Sequence, residues 1–211
     1  MTVTQELISF SAMASLWTLG IIRVRNMLWG LAFVGAALGF LPLHDGLQHG
    51  NVSEIWLGCA VIATKAIGVP LFLNWNALRL NIVRDRTVGL GPGAALLLGS
   101  ALVVLFYFNG DRFSSPGSTL HSAGFSMAIV AIGLTMMLTR RLAVGLLIGF
   151  LILDNGIFMY GFTQTRGMPL IIDLGVLFDL FAAILLAGFV LFRIRSTFEH
   201  LDVSEMKELR G

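Results

Sequence analysis

Charge is scarce in this chain, and cysteine scarcer. Only 12% of its 211 residues are Asp, Glu, Lys or Arg, about half the share carried by an average soluble domain. The 56% that are hydrophobic therefore have too little polar surface to cover them, and the excess apolar surface must meet lipid. The single cysteine, Cys59, excludes an internal disulfide and an iron–sulfur cluster, which takes about four thiolates. Redox chemistry, if the protein serves it, is held by other chains. No basic run interleaved with aromatics suggests nucleic-acid binding. The N-terminal MTVTQELISF has no Lys or Arg ahead of its hydrophobic run, so it lacks the basic start of a signal peptide and reads as a retained span.

What the chain has is long apolar segments. A helix crosses the bilayer in about 20 residues, and the pattern predicts seven such helices, at 6–23, 27–43, 54–78, 89–108, 119–139, 141–163 and 168–192. The fold class is then an all-α integral membrane protein. A transmembrane part covers 1–195 and a cytoplasmic tail covers 196–211. Between the spans lie the polar stretches HDGLQHGNVS (44–53), RLNIVRDR (79–86) and NGDRFSSPGS (109–118), and the Arg140-Arg141 break. Arg23, Arg25, Arg79, Arg84, Arg86, Arg140, Arg141, Arg193, Arg195, Lys207 and Arg210 fall on one side, against Arg112 and Arg166 on the other. By the positive-inside bias the N-terminus is outside and the C-terminus cytoplasmic. The tail carries Asp202 and Glu205 at capping-box spacing, with Val203, Met206 and Leu209 together on one side of a short helix.

Four ionisable residues stand inside those spans: Lys65 in the third, Asp154 in the sixth, and Asp173 and Asp179 in the seventh. Each costs roughly 2.5–3.5 kcal/mol at the bilayer centre on insertion scales, so each is a candidate for holding or moving charge. Helical rise places Lys65 and Asp179 at similar depth, about 15 Å in. Asp173 and Asp179 are six residues apart, about 240° around a helix, and cannot share a face. The bland alternatives are a cap of the seventh span for Asp173, a packing ion pair between Lys65 and Asp179, and a helix contact for Asp154 beside Asn155 and Gly156. His121, at the mouth of the fifth span, is a further candidate as a proton feeder. His44 and His49 lack a third metal ligand, and Cys59 reads as a small core residue. Pro70, five residues after Lys65, is expected to disturb the helix and free a carbonyl near the lysine.

These residues carry a resemblance. AIGLTMMLTRRLAVGLLIGFLILDNGIFMYGF (131–162) resembles the first two helices of the small three-helix subunit K of respiratory complex I, through Arg140-Arg141, the LLIG run and the acid beside Asn155. The C-terminal third is more similar to hydrogenase-4 component E, in DNGIF (154–158), RGMPLIIDLGVLFD (166–179), FRIRSTF (192–198) and the LDVSEMKELRG ending. TKAIGVPLFL (64–73) resembles that family's lysine-to-proline segment. The subunit K-like part covers 119–195. The chain departs from the family at Asp154 and Asp173, where relatives usually have Glu. The middle-helix acid of subunit K would fall near Leu151, one helical turn before Asp154, while Asp179 falls close to the acid of its third helix.

The resemblance implies a multi-pass subunit in a prokaryotic cell membrane, part of a complex I-like assembly such as a group 4 nickel–iron hydrogenase or formate hydrogenlyase. It implies antiporter-like and peripheral hydrogenase-like partner subunits, with the nickel–iron centre and iron–sulfur clusters in those chains and no cofactor or active site in this one. The expected function is proton or sodium translocation coupled to electron transfer through Lys65, Asp154 and Asp179, with Asp173 in support. The alternatives are a scaffold that holds antiporter-like subunits without conducting ions, and a stand-alone transporter, against which the absence of a visible internal repeat argues.

Overall fold

The computed structural model describes residues 3–79, 84–85, 90–114 and 121–165, and those outside short turns are helical. The helices are α1 (Val3–Gly20), α2 (Val24–His49), α3 (Val52–Val61), a π-helical stretch Ile62–Gly68, α4 (Val69–Arg79), α5 (Pro92–Asn109), a short 3₁₀ turn Gly110–Phe113, α6 (Ser122–Thr139) and α7 (Ala143–Thr165). Five rods are long and apolar enough to cross a membrane: Val24–His49, Val52–Leu78, Pro92–Phe113, Ser122–Thr139 and Ala143–Gln164. They match the second to sixth expected spans. The seventh, at 168–192, lies outside the described residues, as do Asp173, Asp179 and the tail. The first corresponds to α1, which is helical but is not among the five. Its Ser11, Ser15 and Thr18 are buried, and their hydroxyls bond back to Leu7, Ser11 and Ala14 carbonyls at 2.7–2.8 Å.

One polar stretch expected to be a loop is mostly helix. The second span does not stop at 43 but runs on through His44, Asp45 and Gln48 to His49. Nothing in that segment breaks a helix, and Gln48 pairs with His44 and His49 with Asp45 at i,i+4 spacing. The stop comes at Gly50, whose φ of 68° lets the Asn51 N–H turn back to the Gly46 carbonyl at 2.9 Å. His44, half-buried, and His49, exposed, are thus helical rather than loop residues.

α2 is central. It packs against α1, α3, the π-helical stretch, α4 and α7, while α6 packs most closely on α7 and α5 lies against α1 and α6. Close approach between helices rests on small residues. A Cβ at Gly133 would lie 2.5 Å from the Leu153 nitrogen, and one at Gly35 2.7 Å from the Lys65 carbonyl oxygen. Without side chains at these points the backbones can touch, the usual solution where lipid offers no hydrophobic drive for helices to associate. In α2, α6 and α7 the most apolar windows are 61%, 61% and 67% buried, whereas those of Val52–Leu78 and Pro92–Phe113 are 22% and 17% buried. The last two rods form the periphery.

Candidate functional site

Lys65 stands on a peripheral rod yet is buried, 6% exposed. The reason is local. Pro70 has no N–H to return toward the preceding turn, and the helix answers by widening: over Ile62–Gly68 it becomes π-helical, and Val69 N–H reaches the Thr64 carbonyl, five residues back. The sequence reading expected Pro70 to disturb this helix; the disturbance is a wide turn within a continuing rod. Gly35 receives that wide turn at backbone distance, and the lysine side chain runs inward toward α7.

There it meets Asp154. Lys65 Nζ donates to Asp154 Oδ2 at 2.5 Å, and both side chains are almost wholly buried. The ammonium also lies 5.5 Å from the Phe158 ring centroid, one turn further along α7. Asn155 is buried beside the pair, and a void of about 10 Å³ is lined by Leu31, Lys65, Val69, Leu151 and Asn155, the size at which one water begins to fit. Lys65 is near the middle of its 27-residue rod. Asp154 lies eleven residues into α7, about 16 Å along it. The lysine thus pairs with Asp154; Asp179, its partner in the packing alternative, lies outside the described residues. His121 is not brought to them. It precedes α6 with φ 69° and stacks on Tyr107, ring centroids 4.5 Å apart. Gly133 and Gly156 register α6 against α7 so that Asp154 is level with about residue 131, roughly 15 Å along the axis from His121.

A second buried charge centre was missed by the sequence reading, which used Arg140 only as a topology marker. Arg140 is 4% exposed and Asp85 0%. Arg140 Nη2 donates to the carbonyls of Leu19 and Ile21, each at 2.7 Å, and Nη1 to the Asp85 carbonyl at 3.4 Å. The guanidinium therefore closes the C-terminal end of α1, where carbonyls lack helical partners. The Asp85 N–H donates to the Ile22 carbonyl at 2.8 Å, and its Oδ1 accepts the Leu142 N–H at 3.2 Å, capping α7 from a different loop. Burial pushes the Asp85 carboxyl above its ordinary range, against the Leu142 N–H, the Arg140 charge and the Arg141 N–H, which all pull it down. Burial likewise lowers Arg140, against the pull of Asp85. The turns after α1, after α4 and after α6 are thus knotted at one end of the bundle, where the sequence had placed their arginines together. An Arg-Asp-Arg triplet in a loop was the available signal, because a lone acid among like charges invites a partner.

Among the described residues no group of His, Cys, Asp and Glu comes together as a metal site, and Cys59, expected in the core, is exposed instead. The site's chemistry is that of a buried ammonium–carboxylate pair with little room for water.

Against known proteins, no family model matches and no solved structure matches. Uncharacterized protein Rv0085 of Mycobacterium tuberculosis is 33% identical over 183 residues, covering 85% of this chain and 83% of that one. Hydrogenase-4 component E of Escherichia coli K12 is 23% identical over 159 residues, 74% of this chain and 73% of its own, and the Shigella flexneri protein of the same name matches equally. The likeness to component E is distant.

Proposed function

The chain belongs to the family of Uncharacterized protein Rv0085, and from that premise we propose that it is a membrane subunit of a complex I-like, hydrogenase-type assembly. In this reading its Lys65–Asp154 pair takes part in moving protons across the bilayer. The observation that carries the reading is an ammonium and a carboxylate 2.5 Å apart at mid-span, in a chain distantly like a hydrogenase-4 component. The end knotted by Arg140 is the cytoplasmic one, because basic residues concentrate there. Electron-transfer centres reside in partner chains, and antiporter-like subunits lie alongside in a prokaryotic cell membrane. Asp173 and Asp179 extend the path in the seventh span.

The chemistry follows from the pair's burial. A carboxylate whose partner cation is held close stays ionised; when a neighbouring charge draws the cation away, burial favours the protonated form. Lys65 can be drawn away because its stem is flexible and the Phe158 face offers its ammonium a second resting place. Each swing toward and away from Asp154 then corresponds to release and uptake of one proton at Oδ2.

A scaffold reading is favoured by the same closeness, because a buried ion pair also fixes packing. Paired apolar replacement separates the two. Lys65→Met with Asp154→Leu fills the site with matched volume, which for a packing pair is near neutral in stability. As a relay, the assembled double variant should transport few or no protons per electron transferred; normal coupling in that variant sinks the relay and leaves the scaffold.

A further inference from the structure

On the opposite face of the rod that bears Lys65, a groove of about 400 Å³ opens between α2 and the π-helical stretch with α4. Its walls are apolar: Trp29, Ile67 and Leu71 line it and are 57%, 53% and 62% exposed. Its polarity is confined to one end. Arg25 stands at the start of α2, with Asn74 across from it on α4. Arg25 is exposed and makes no ion pair among the described residues. Among the described residues the charge around this mouth is of one sign. Exposed Arg23 and Arg84 are bridged through their backbones nearby, and the sole acid of that turn, Asp85, is buried in the Arg140 knot.

We propose that this groove is a binding site for an anionic phospholipid, whose phosphate sits on Arg25 and Asn74 and whose acyl chain lies along Trp29, Ala32 and Ile67. The polarity gradient runs along the helices, from cation at the membrane boundary to hydrocarbon at depth, and this is the profile of a lipid. A transmembrane helix seated there would leave Arg25 facing its apolar surface. An arginine is also suited to the ligand, because its planar fork meets phosphate oxygens in pairs. Basic pockets between helices near the cytoplasmic surface are places where anionic headgroups settle. The site stands apart from the Lys65–Asp154 pair and does not depend on that pair's role.

The full-length chain in mild detergent, offered equal phosphatidylglycerol and phosphatidylcholine and read by native mass spectrometry, tests this. Phosphatidylglycerol should be retained about fivefold over phosphatidylcholine, the effect expected of one well-placed arginine. Arg25→Gln should remove that preference, while Arg23→Gln, at an arginine outside the groove, should preserve it. Equal retention of the two lipids overturns the proposal, as does a preference that survives Arg25→Gln or is lost equally in Arg23→Gln. A photoreactive residue at position 67 in native membranes should crosslink to lipid; crosslinking to a neighbouring polypeptide overturns it as well.

Discussion

The two buried charge centres differ in what surrounds them. At the knotted end, Arg140 is held by carbonyls from two turns, and the Asp85 carboxylate accepts an N–H from the start of α7. Every one of those partners is backbone, held where helices end or begin. At mid-span, Lys65 and Asp154 hold each other, with an aromatic face, an asparagine and a void of about 10 Å³ for company. The first arrangement can only be broken. The second has room to rearrange, and it sits on a π-helical turn, a feature found more often at functional sites than in plain scaffolding. Burial by itself does not tell a working charge from a structural one; whether it is held by fixed backbone or by another side chain does.

The contrast predicts different responses to the same manipulation. Arg140→Met should be the most damaging change. It leaves Asp85 buried without its opposite charge, about 3–5 kcal/mol, and strips the Leu19 and Ile21 carbonyls, roughly 1–3 kcal/mol each. Adding Asp85→Leu should not rescue it, because the carbonyls still lack a donor and Leu142 loses its acceptor. Thermal unfolding of the purified chain reads both. Asp154→Asn should cost less, at most about 3–5 kcal/mol, and here the paired Lys65→Met, Asp154→Leu variant should recover most of the loss. If the knot tolerates apolar replacement and the pair does not, the assignment of fixed and mobile centres is reversed.

Much of the second to sixth spans was legible because apolar length alone marks a membrane helix. The co-location of Arg23, Arg84 and Arg140 was legible from their alternation along the chain. Partner choice was not. Depth along a helix assigned Lys65 a level, and Asp179 shared that level on paper. Rotation is the second coordinate: the wide turn over Ile62–Gly68 aims the lysine at Asp154 on α7, and no hydropathy pattern reports that rotation. The stop at Gly50 was missed because polar residues were read as loop, although His44, Asp45 and Gln48 all tolerate a helix. Asp85 was overlooked because loop acids are usually solvated, and only the convergence of three turns buries this one.

A smaller perturbation probes how closely the knot is fitted. A Cβ at Gly145 would run into Asp85 Oδ2, with Arg140 Cβ only 3.0 Å away. Gly145→Ala should therefore push the carboxylate off the Leu142 N–H and cost about 1–3 kcal/mol, even though alanine favours helix over glycine by about 1 kcal/mol. Hydrogen exchange at the α7 N-terminus should quicken while that around Lys65 stays unchanged. Quickening at both places would mean that the two centres are one cooperative unit.

The least expected effect is a pH dependence confined to the knot. Asp85 titrates above its ordinary 3.8 in the folded chain, so between that value and its raised one the folded state holds a proton that the unfolded state has released. Stability from this group is therefore full at the acid end, falls as pH rises through that window, and is level above it. Comparing thermal unfolding of the parent and Asp85→Asn across pH 4 to 7 isolates the term, since the other carboxylates cancel in the difference. The gap between the two proteins should move in favour of the variant as pH rises. A gap that moves the other way would mean that the Arg140 charge and the Leu142 and Arg141 N–H groups outweigh burial at Asp85. The knot would then be stabilised by its charges, as the mid-span pair is, and the contrast between them would rest on mobility alone.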